Sequence, residues 1–229
     1  MNHSAIAYMI DDSPAHPEQD GNMETPRRLI VGISGATGAI FGVRLLQMLQ
    51  KTGVETHLIV SRWGARTLLH ETQYTLEQVQ AMATTFYAPQ DQGAAISSGS
   101  FLTDGMVLCP CSVRSVAAIA HGHGDNLLHR AADVVLKERR KLVLVVRETP
   151  LSDIHLENML KLSRMGVVIF PPVPAFYTQP QSIDDIVEQS VTRILDQFGI
   201  HAASGKRWQG VLSAAGVPAR KPLTVKSRR

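Results

Sequence analysis

Short apolar-rich runs recur along the chain, and the segments between them repeat apolar residues at every third or fourth position. The runs are Leu29–Ile33, Val54–Ser61, Met106–Cys109, Leu142–Val146 and Val167–Phe170. Runs of this length suit strands buried on both faces of a parallel sheet. Between them, Ala39–Gln50 places Ile40, Val43, Leu46 and Leu49 on one helical face. Helices are also predicted over Leu127–Arg139, over Ile154–Met165 and from Ser182 to Phe198. Another begins within Ser61–Leu69, Thr75 leads one containing Leu76, Val79 and Met82, and Ser112 is the predicted N-cap of a further one. This alternation predicts an α/β fold, a three-layer αβα sandwich around a doubly wound parallel sheet. Ligands of such sheets bind beyond the carboxyl ends of the strands.

The connections carry their own signals. Gly166 is placed to end its helix in the left-handed conformation, and Ser182-Ile-Asp-Asp185 is a capping-box variant. Ser97-Ser-Gly-Ser-Phe101 is a small-residue loop, a shape that lets backbone and hydroxyls approach a ligand. His121-Gly-His-Gly-Asp125 reads as a loop, and Pro171–Tyr177 as a rigid one.

The first junction is the most informative stretch. Leu29–Ile33 feeds Ser34-Gly-Ala-Thr-Gly38 and then the helix from Ala39. A strand, a glycine-rich turn and a helix N-terminus together gather N–H groups and partial positive charge, which is the chemistry of a phosphate site. The glycines fall as G-x-x-G-x-x-G (Gly32, Gly35, Gly38), not as the dinucleotide pattern G-x-G-x-x-G. The second strand ends in Ser61, where a dinucleotide site would want an acid for the ribose, and Glu55 lies at the opposite end of that strand. The loop therefore suits a mononucleotide or a small phosphate ester.

Composition narrows the class. A chain of 229 residues with 44% hydrophobic and 19% charged residues is that of one globular domain with a full core. Seven of the 23 bases lie within 206–229 and five of the 20 acids within 1–26, which leaves 16 against 15 in the body. No basic face interleaved with aromatics is seen, so no nucleic-acid surface is implied. No apolar window is long enough to span a membrane. Two cysteines in C-x-C point to a reducing compartment, and the expected location is cytoplasmic. Residues 1–27, polar and proline-bearing, read as a disordered arm and not a targeting signal, with Met23 as an alternative start. Residues 28–200 form the domain, and 201–229 form a basic tail, packed on a neighbour or disordered.

Four strand ends offer polar groups toward one crevice: Ser34 to Thr37, Ser61, Ser112 to Ser115, and Arg147-Glu148. Singly, each reads as a cap or a turn; together, on one edge, they favour a ligand. A guanidinium at Arg147, directly after a buried strand, is suited to neutralising a phosphate or flavin anion. Glu148 beside it is placed to hold or transfer a proton. Cys109, Cys111, His121 and His123 lack the spacing of a metal site, and nothing marks either thiol as a nucleophile. Lys137-Glu-Arg-Arg-Lys141 is a solvated helix end from which Lys137 alone is a candidate to point inward.

At this point the chain resembles a family. SGATGA, ETHLIVS, ISSGSF, the PCS turn at 110–112, RAADVVLKERRKLVLVVRETPLS, HLENMLKLSRMG and PPVPAFY are similar, in order, to the UbiX-type flavin prenyltransferases. The similarity runs from Arg28 to about Ile200, with Lys206-Arg-Trp208 as a candidate extension. The resemblance implies a flavodoxin-like or Rossmann-like subunit assembled into trimers and then a dodecamer, with the active site where subunits meet. It implies transfer of a dimethylallyl group from dimethylallyl phosphate to reduced FMN, without a metal. A new ring closes between N5 and C6, and the prenylated FMN serves a UbiD-type decarboxylase.

Carried over by position, the resemblance assigns Gly35, Ala36 and Thr37 to the first FMN-binding turn. It assigns Ser61, Ser112, Val113, Arg114, Ser115 and Arg147 to the other flavin contacts. Tyr177 and Arg193, joined by Lys137 and Arg130, hold the prenyl phosphate. Glu71 and Glu148 handle protons and support the carbocation, with Thr37 and Lys137 also in the catalytic set. Thr37 departs from the serine of many members while keeping a hydroxyl, and Arg114 stands at a variable position. Two alternatives remain beside this reading. One is a flavin-dependent decarboxylase of aromatic acids or cysteine-derived substrates, which the turn Leu108-Cys-Pro-Cys-Ser-Val113 disfavours because that group uses a P-A-S-A-N-T type turn. The other is a non-catalytic FMN carrier, which would not need Glu148, Lys137 or Arg193.

Overall fold

The computed structural model of the chain describes residues 26–201 together with Arg207 and Trp208. The predicted arm lies outside the described residues up to position 25, as does the tail apart from His201, Arg207 and Trp208. The apolar runs become β1 (Arg28–Ile33), β2 (Glu55–Val60), β4 (Gly105–Cys111), β5 (Lys141–Val146) and β6 (Val168–Ile169), with β3 (Thr85–Tyr87) beside β2. The helices are α1 (Ala39–Leu49), α2 (Arg62–Glu71), α3 (Leu76–Gln80), α4 (Val113–Ala120), α5 (Leu127–Lys137), α6 (Asp153–Arg164) and α7 (Ile183–Asp196).

All pairings are parallel, in the order β3-β2-β1-β4-β5-β6. With β3 counted this is the Rossmann order 3-2-1-4-5-6; without that three-residue edge strand it is the flavodoxin order 2-1-3-4-5, so both expected descriptions apply. Either way the order reverses between β1 and β4. Both strands are buried on two faces, as their unbroken apolar character requires. Leu29, Val31 and Ile33 face a core built with Leu46 and Leu49 of α1 and Val191, Ile194 and Leu195 of α7. Ile30, Met106, Leu108 and Leu144 face the other, with Ile119 of α4, Leu128 of α5 and Leu162 of α6. Each fully buried leucine contributes about 2 kcal/mol of transfer free energy.

The predicted caps are observed. The hydroxyls of Ser61, Ser112 and Ser182 accept from the N–H three residues on, Ser182 within a full capping box, and Gly166 follows α6 at φ 92°. Two features depart from the expectation. The strand expected over Met106–Cys109 continues through Pro110 to Cys111, across a cis Cys109–Pro110 bond and a register shift against β5. A shift of one residue turns side chains to the opposite face, so Cys109 enters the α1–α7 core and Cys111 the α5–α6 core. The two thiols therefore cannot converge on one ion. β3 had no sequence signal, being three half-buried residues at an edge.

Candidate active site

The carboxyl ends of the strands are laced together at the point where the order reverses. Ser34 follows β1; its N–H and hydroxyl donate to Pro110 O (3.1 and 3.0 Å), and its Oγ accepts from Ser112 N (2.8 Å). Ser61 N donates to Ile33 O (2.9 Å) and Arg147 N to Cys111 O (3.1 Å), so the ends of β2, β1, β4 and β5 are joined in turn. Beyond them opens a cavity of about 760 Å³. Of the expected residues, Gly35, Ser61, Ser112, Val113, Arg114, Ser115 and Glu148 line it.

The first turn is bound differently from the phosphate cradle expected of it. Gly38 takes the N-cap of α1 at φ 92°, a left-handed conformation that favours glycine. The N–H groups of Gly38 and Ala39 are already taken, both donating to Glu71 Oε2 (2.8 and 3.0 Å) at the end of α2. A carboxylate of the protein thus occupies the anion position at this helix N-terminus, where the dipole favours it. Burial pushes the Glu71 carboxyl up, but hydrogen bonds from the Thr37 hydroxyl and the Ala39 and Gly38 N–H groups outweigh that and hold it below the usual range. Gly35 sits against α2 so closely that a Cβ there would come 2.4 Å from the Trp63 Cβ. Arg147 reaches the same turn, its Nε 3.6 Å from where a Gly38 Cβ would stand.

The far wall of the cavity was missed by the sequence reading. His121, His123, Asp125, Asn126 and His129 line it, a role that the spacing of the histidine loop does not signal. The signal lies in the order of elements: two helices, α4 and α5, fill the single crossover from β4 to β5, so the loop between them returns to the carboxyl edge. Leu127 N donates to Pro89 O (2.8 Å), which fixes the start of α5 beside the loop after β3. Asn126 Oδ1 accepts from His129 N (3.0 Å), which orients its amide so that Nδ2 donates to His129 Nδ1 (3.2 Å). His129 Nε2 then carries the ring proton and donates to Ser115 Oγ (3.2 Å), which also accepts from Ser112 Oγ (3.2 Å). Burial holds the His129 ring below its ordinary value, so it is neutral at pH 7. With two donors on its oxygen, the Ser115 hydroxyl has its own proton left to give.

The remaining expected residues lie elsewhere in one protomer. Lys137, at the end of α5, pairs with Glu138 at the amino edge of the sheet, close to the Ser97–Phe101 loop, whose Gly99 and Phe101 carbonyls accept from Arg140. That loop does not line this cavity within one protomer. Arg130 pairs with Asp133 on the surface of α5. Tyr177 and Arg193 stand on the α7 side, the tyrosine hydroxyl 3.4 Å from Gln189 Nε2. Burial raises the pKa of both thiols, consistent with inert cysteines. Among the described residues no helix is long and apolar enough to cross a membrane.

A cavity at the switch point of a doubly wound sheet, ringed by serine hydroxyls and without the dinucleotide fingerprint, is the site of a mononucleotide-binding flavoprotein, and the chain belongs to that family: the Flavoprotein profile matches residues 17–195. A probable UbiX-like flavin prenyltransferase of Bacillus subtilis is 60% identical over 189 residues, 82% of this chain and 93% of that one. The crystal structure of AnUbiX (PadA1) with FMN and dimethylallyl pyrophosphate matches with a TM-score of 0.80 at 50% identity, covering 81% of this chain and 99% of that one. A dodecameric FMN-dependent UbiX-like decarboxylase from Escherichia coli O157:H7 matches at 0.79 and 58% identity, covering 80% and 100%. Within the flavoproteins, this chain is a member of the UbiX-type flavin prenyltransferases.

Proposed function

We propose that this protein joins the dimethylallyl group of dimethylallyl phosphate to reduced FMN and releases phosphate. The observation that carries the reading is the switch-point cavity with Glu148 on its wall and Arg147 beside its first turn. Its volume is ample for a flavin mononucleotide, since ligand sites commonly enclose about 300–1,000 Å³. The residues fit the group: Ser61, Ser112 and Ser115 offer hydroxyls and Val113 and Arg114 open α4 on the cavity wall, while Arg147, beside the first turn, supplies a cation. Reduced FMN, when bound, supplies N5 and C6 as the positions that take the five-carbon unit and close a new ring.

The chain's own groups supply the rest. Departure of phosphate from an allylic carbon leaves negative charge on the phosphate and positive charge on the carbon skeleton. Arg193, Lys137 and Arg130, with the Tyr177 hydroxyl, answer the first; the Glu148 carboxylate answers the second and takes up a proton as the ring closes. Glu71, held ionised by the α1 N-terminus, keeps the first turn and the Thr37 hydroxyl in place. Thr37, Glu148, Lys137, Tyr177 and Arg193 are all exposed in a single protomer. A carbocation must be kept from water, which supports completion of the site by neighbouring copies. Exposed Trp63, Ile154, Leu160 and Phe176 offer apolar surface for such contacts. We therefore read the working form as trimers assembled into a dodecamer, and the E. coli neighbour is described as dodecameric. The product is taken up by a UbiD-type decarboxylase in the cytoplasm.

The name of the E. coli neighbour keeps one rival in view, a decarboxylase acting on its own account. The test is anaerobic: purified protein, reduced FMN and dimethylallyl phosphate, with the extracted flavin analysed by mass spectrometry. The expected flavin is heavier by one five-carbon unit, and it is absent with Glu148→Gln or Arg193→Ala. Unmodified flavin with CO2 released from an aromatic acid by this protein alone establishes the rival instead.

A further inference from the structure

Asp196, the last residue of α7, gathers more charge than any role above requires of it. Its carboxylate is 9% exposed. Oδ2 accepts from Arg193 Nη1 (2.5 Å) and from Arg207 Nη1 (2.9 Å). Oδ1 accepts from Arg207 Nη2 (2.7 Å) and lies 3.2 Å from His201 Nδ1. Arg207 thus grips it with both arms of its guanidinium, the strong fork geometry. The Arg207 hydrogen bond is the main reason its carboxyl is pushed down to about 2. The residue after Arg207 is Trp208, whose ring meets Tyr177 edge-on at 5.6 Å between centroids. One carboxylate therefore holds Arg193 directly and Tyr177 through Arg207 and Trp208.

We propose that Asp196 is a positioning residue for the phosphate of the prenyl donor: it docks the chain at Arg207 onto α7, seats Trp208 against Tyr177, and fixes the Arg193 side chain. The inference rests on the reading in which Tyr177 and Arg193 hold that phosphate. Two guanidiniums share one carboxylate, so the cluster keeps a net positive charge for a dianionic ligand while its arginines are held in place. Preset geometry spares the ligand the cost of ordering long side chains on binding. This has a counterintuitive consequence. Neutralising Asp196 makes the patch more positive, so charge alone predicts tighter binding of phosphate, whereas loss of positioning predicts weaker binding.

The test uses the full chain with Asp196→Asn, Asp196→Glu and Arg207→Gln. Steady-state kinetics with dimethylallyl phosphate and reduced FMN should show KM for dimethylallyl phosphate raised about tenfold in Asp196→Asn and Arg207→Gln, with kcat changed less than about threefold and FMN affinity unchanged. Asp196→Glu should recover most of the loss. Trp63 and Trp208 are the two tryptophans of the chain, so a Trp63→Phe background makes Trp208 the sole reporter. In that background acrylamide should quench Trp208 more strongly in both neutralised variants than in the parent. A KM that falls in Asp196→Asn, or quenching that does not change, overturns the proposal. Failure of the functional reading shows separately, as a wild-type protein that does not prenylate FMN, and the quenching comparison still decides whether Asp196 docks the segment.

Discussion

The two edges of the sheet treat charge in opposite ways. At the amino edge the charges answer each other: Arg27 pairs with Asp104 and Arg28 with Glu55, while Arg140 and Lys141 donate to backbone carbonyls. At the carboxyl edge hydroxyls and amides organise one another, and among the described residues Arg62, Arg114, Arg147 and Glu148 form no ion pair. Surface pairs satisfied within the chain contribute little beyond local order. Charges left without an ionic partner around a concave space, such as Glu148, which among the described residues accepts only from the Thr149 N–H, are where a ligand supplies one. The contrast marks the cavity as a place for a ligand without reference to any relative.

The sharpest way to break the contrast is to remove the unpaired acid. Glu148→Gln keeps the shape of the side chain and removes its capacity to take a proton. Single-turnover prenylation of FMN should slow by about 10²–10⁴-fold, the range for loss of a positioned acid–base group, with thermal stability unchanged. An activity within about threefold of wild type would move the proton chemistry to another residue.

Next in size is the wall that the sequence reading missed. His129→Leu removes the donor that orients the Ser115 hydroxyl and leaves Asn126 Nδ2 facing an apolar group. Breaking a hydrogen bond between part-buried groups costs about 1–3 kcal/mol, so FMN binding should weaken about tenfold by titration of flavin fluorescence. The ring also gives a pH dependence of known sign. Burial lowers the folded-state pKa of His129, so below about pH 6.5 the unfolded chain takes up a proton that the folded chain refuses. Stability is lost as pH falls from there toward the lower folded value. Melting temperatures between pH 7.5 and 5.5 should drop less for His129→Leu than for wild type, and equal drops would remove His129 from the account.

Much of this was legible in the sequence. The apolar runs, Ser61, Ser112 and Ser182 as caps, Gly166 as terminator and the convergence of strand ends all follow from short-range patterns that the fold does not override. What escaped depends on relations between distant segments. That Glu71 would fill the N-terminus of α1 depends on α2 ending beside it, 33 residues away from Gly38. That Cys109 and Cys111 face opposite cores depends on a register shift against β5. The separation of Lys137, Tyr177 and Arg193 from the cavity was beyond any single-chain pattern. The family resemblance supplied those residues, and one protomer does not bring them together.

Glu71 offers a smaller effect that tests the cap itself. Glu71→Gln keeps one acceptor for Gly38 and Ala39 but loses the charge that meets the helix dipole. A loss of about 0.5–1 kcal/mol in denaturant unfolding is expected at pH 7. Because its folded-state pKa is lowered, the wild-type advantage is present above about pH 4.5 and shrinks as pH falls through the folded value. A variant as stable as wild type at pH 7 would make Glu71 a group free to serve catalysis alone.

The smallest effect belongs to the paired edge, and it is the one that sharpens the contrast most. Arg27 Nε meets Asp104 Oδ2 at 2.7 Å and its Nη2 donates to Phe198 O at 2.7 Å, yet half of its side chain remains exposed. Solvent-exposed pairs of this kind are worth about 0.2–1 kcal/mol, and salt screens them. Arg27→Ala should therefore shift the unfolding midpoint by less than about 1 kcal/mol equivalent, a difference reduced further in 0.5 M salt, while FMN affinity and the rate of prenyl transfer stay at wild-type values. A charge removed from an exposed pair at the edge away from the cavity leaves the chemistry untouched. If Arg27→Ala instead weakened FMN binding, the amino edge would be coupled to the cavity through β1, and the division of the sheet into a self-satisfied edge and a ligand-seeking edge would fail.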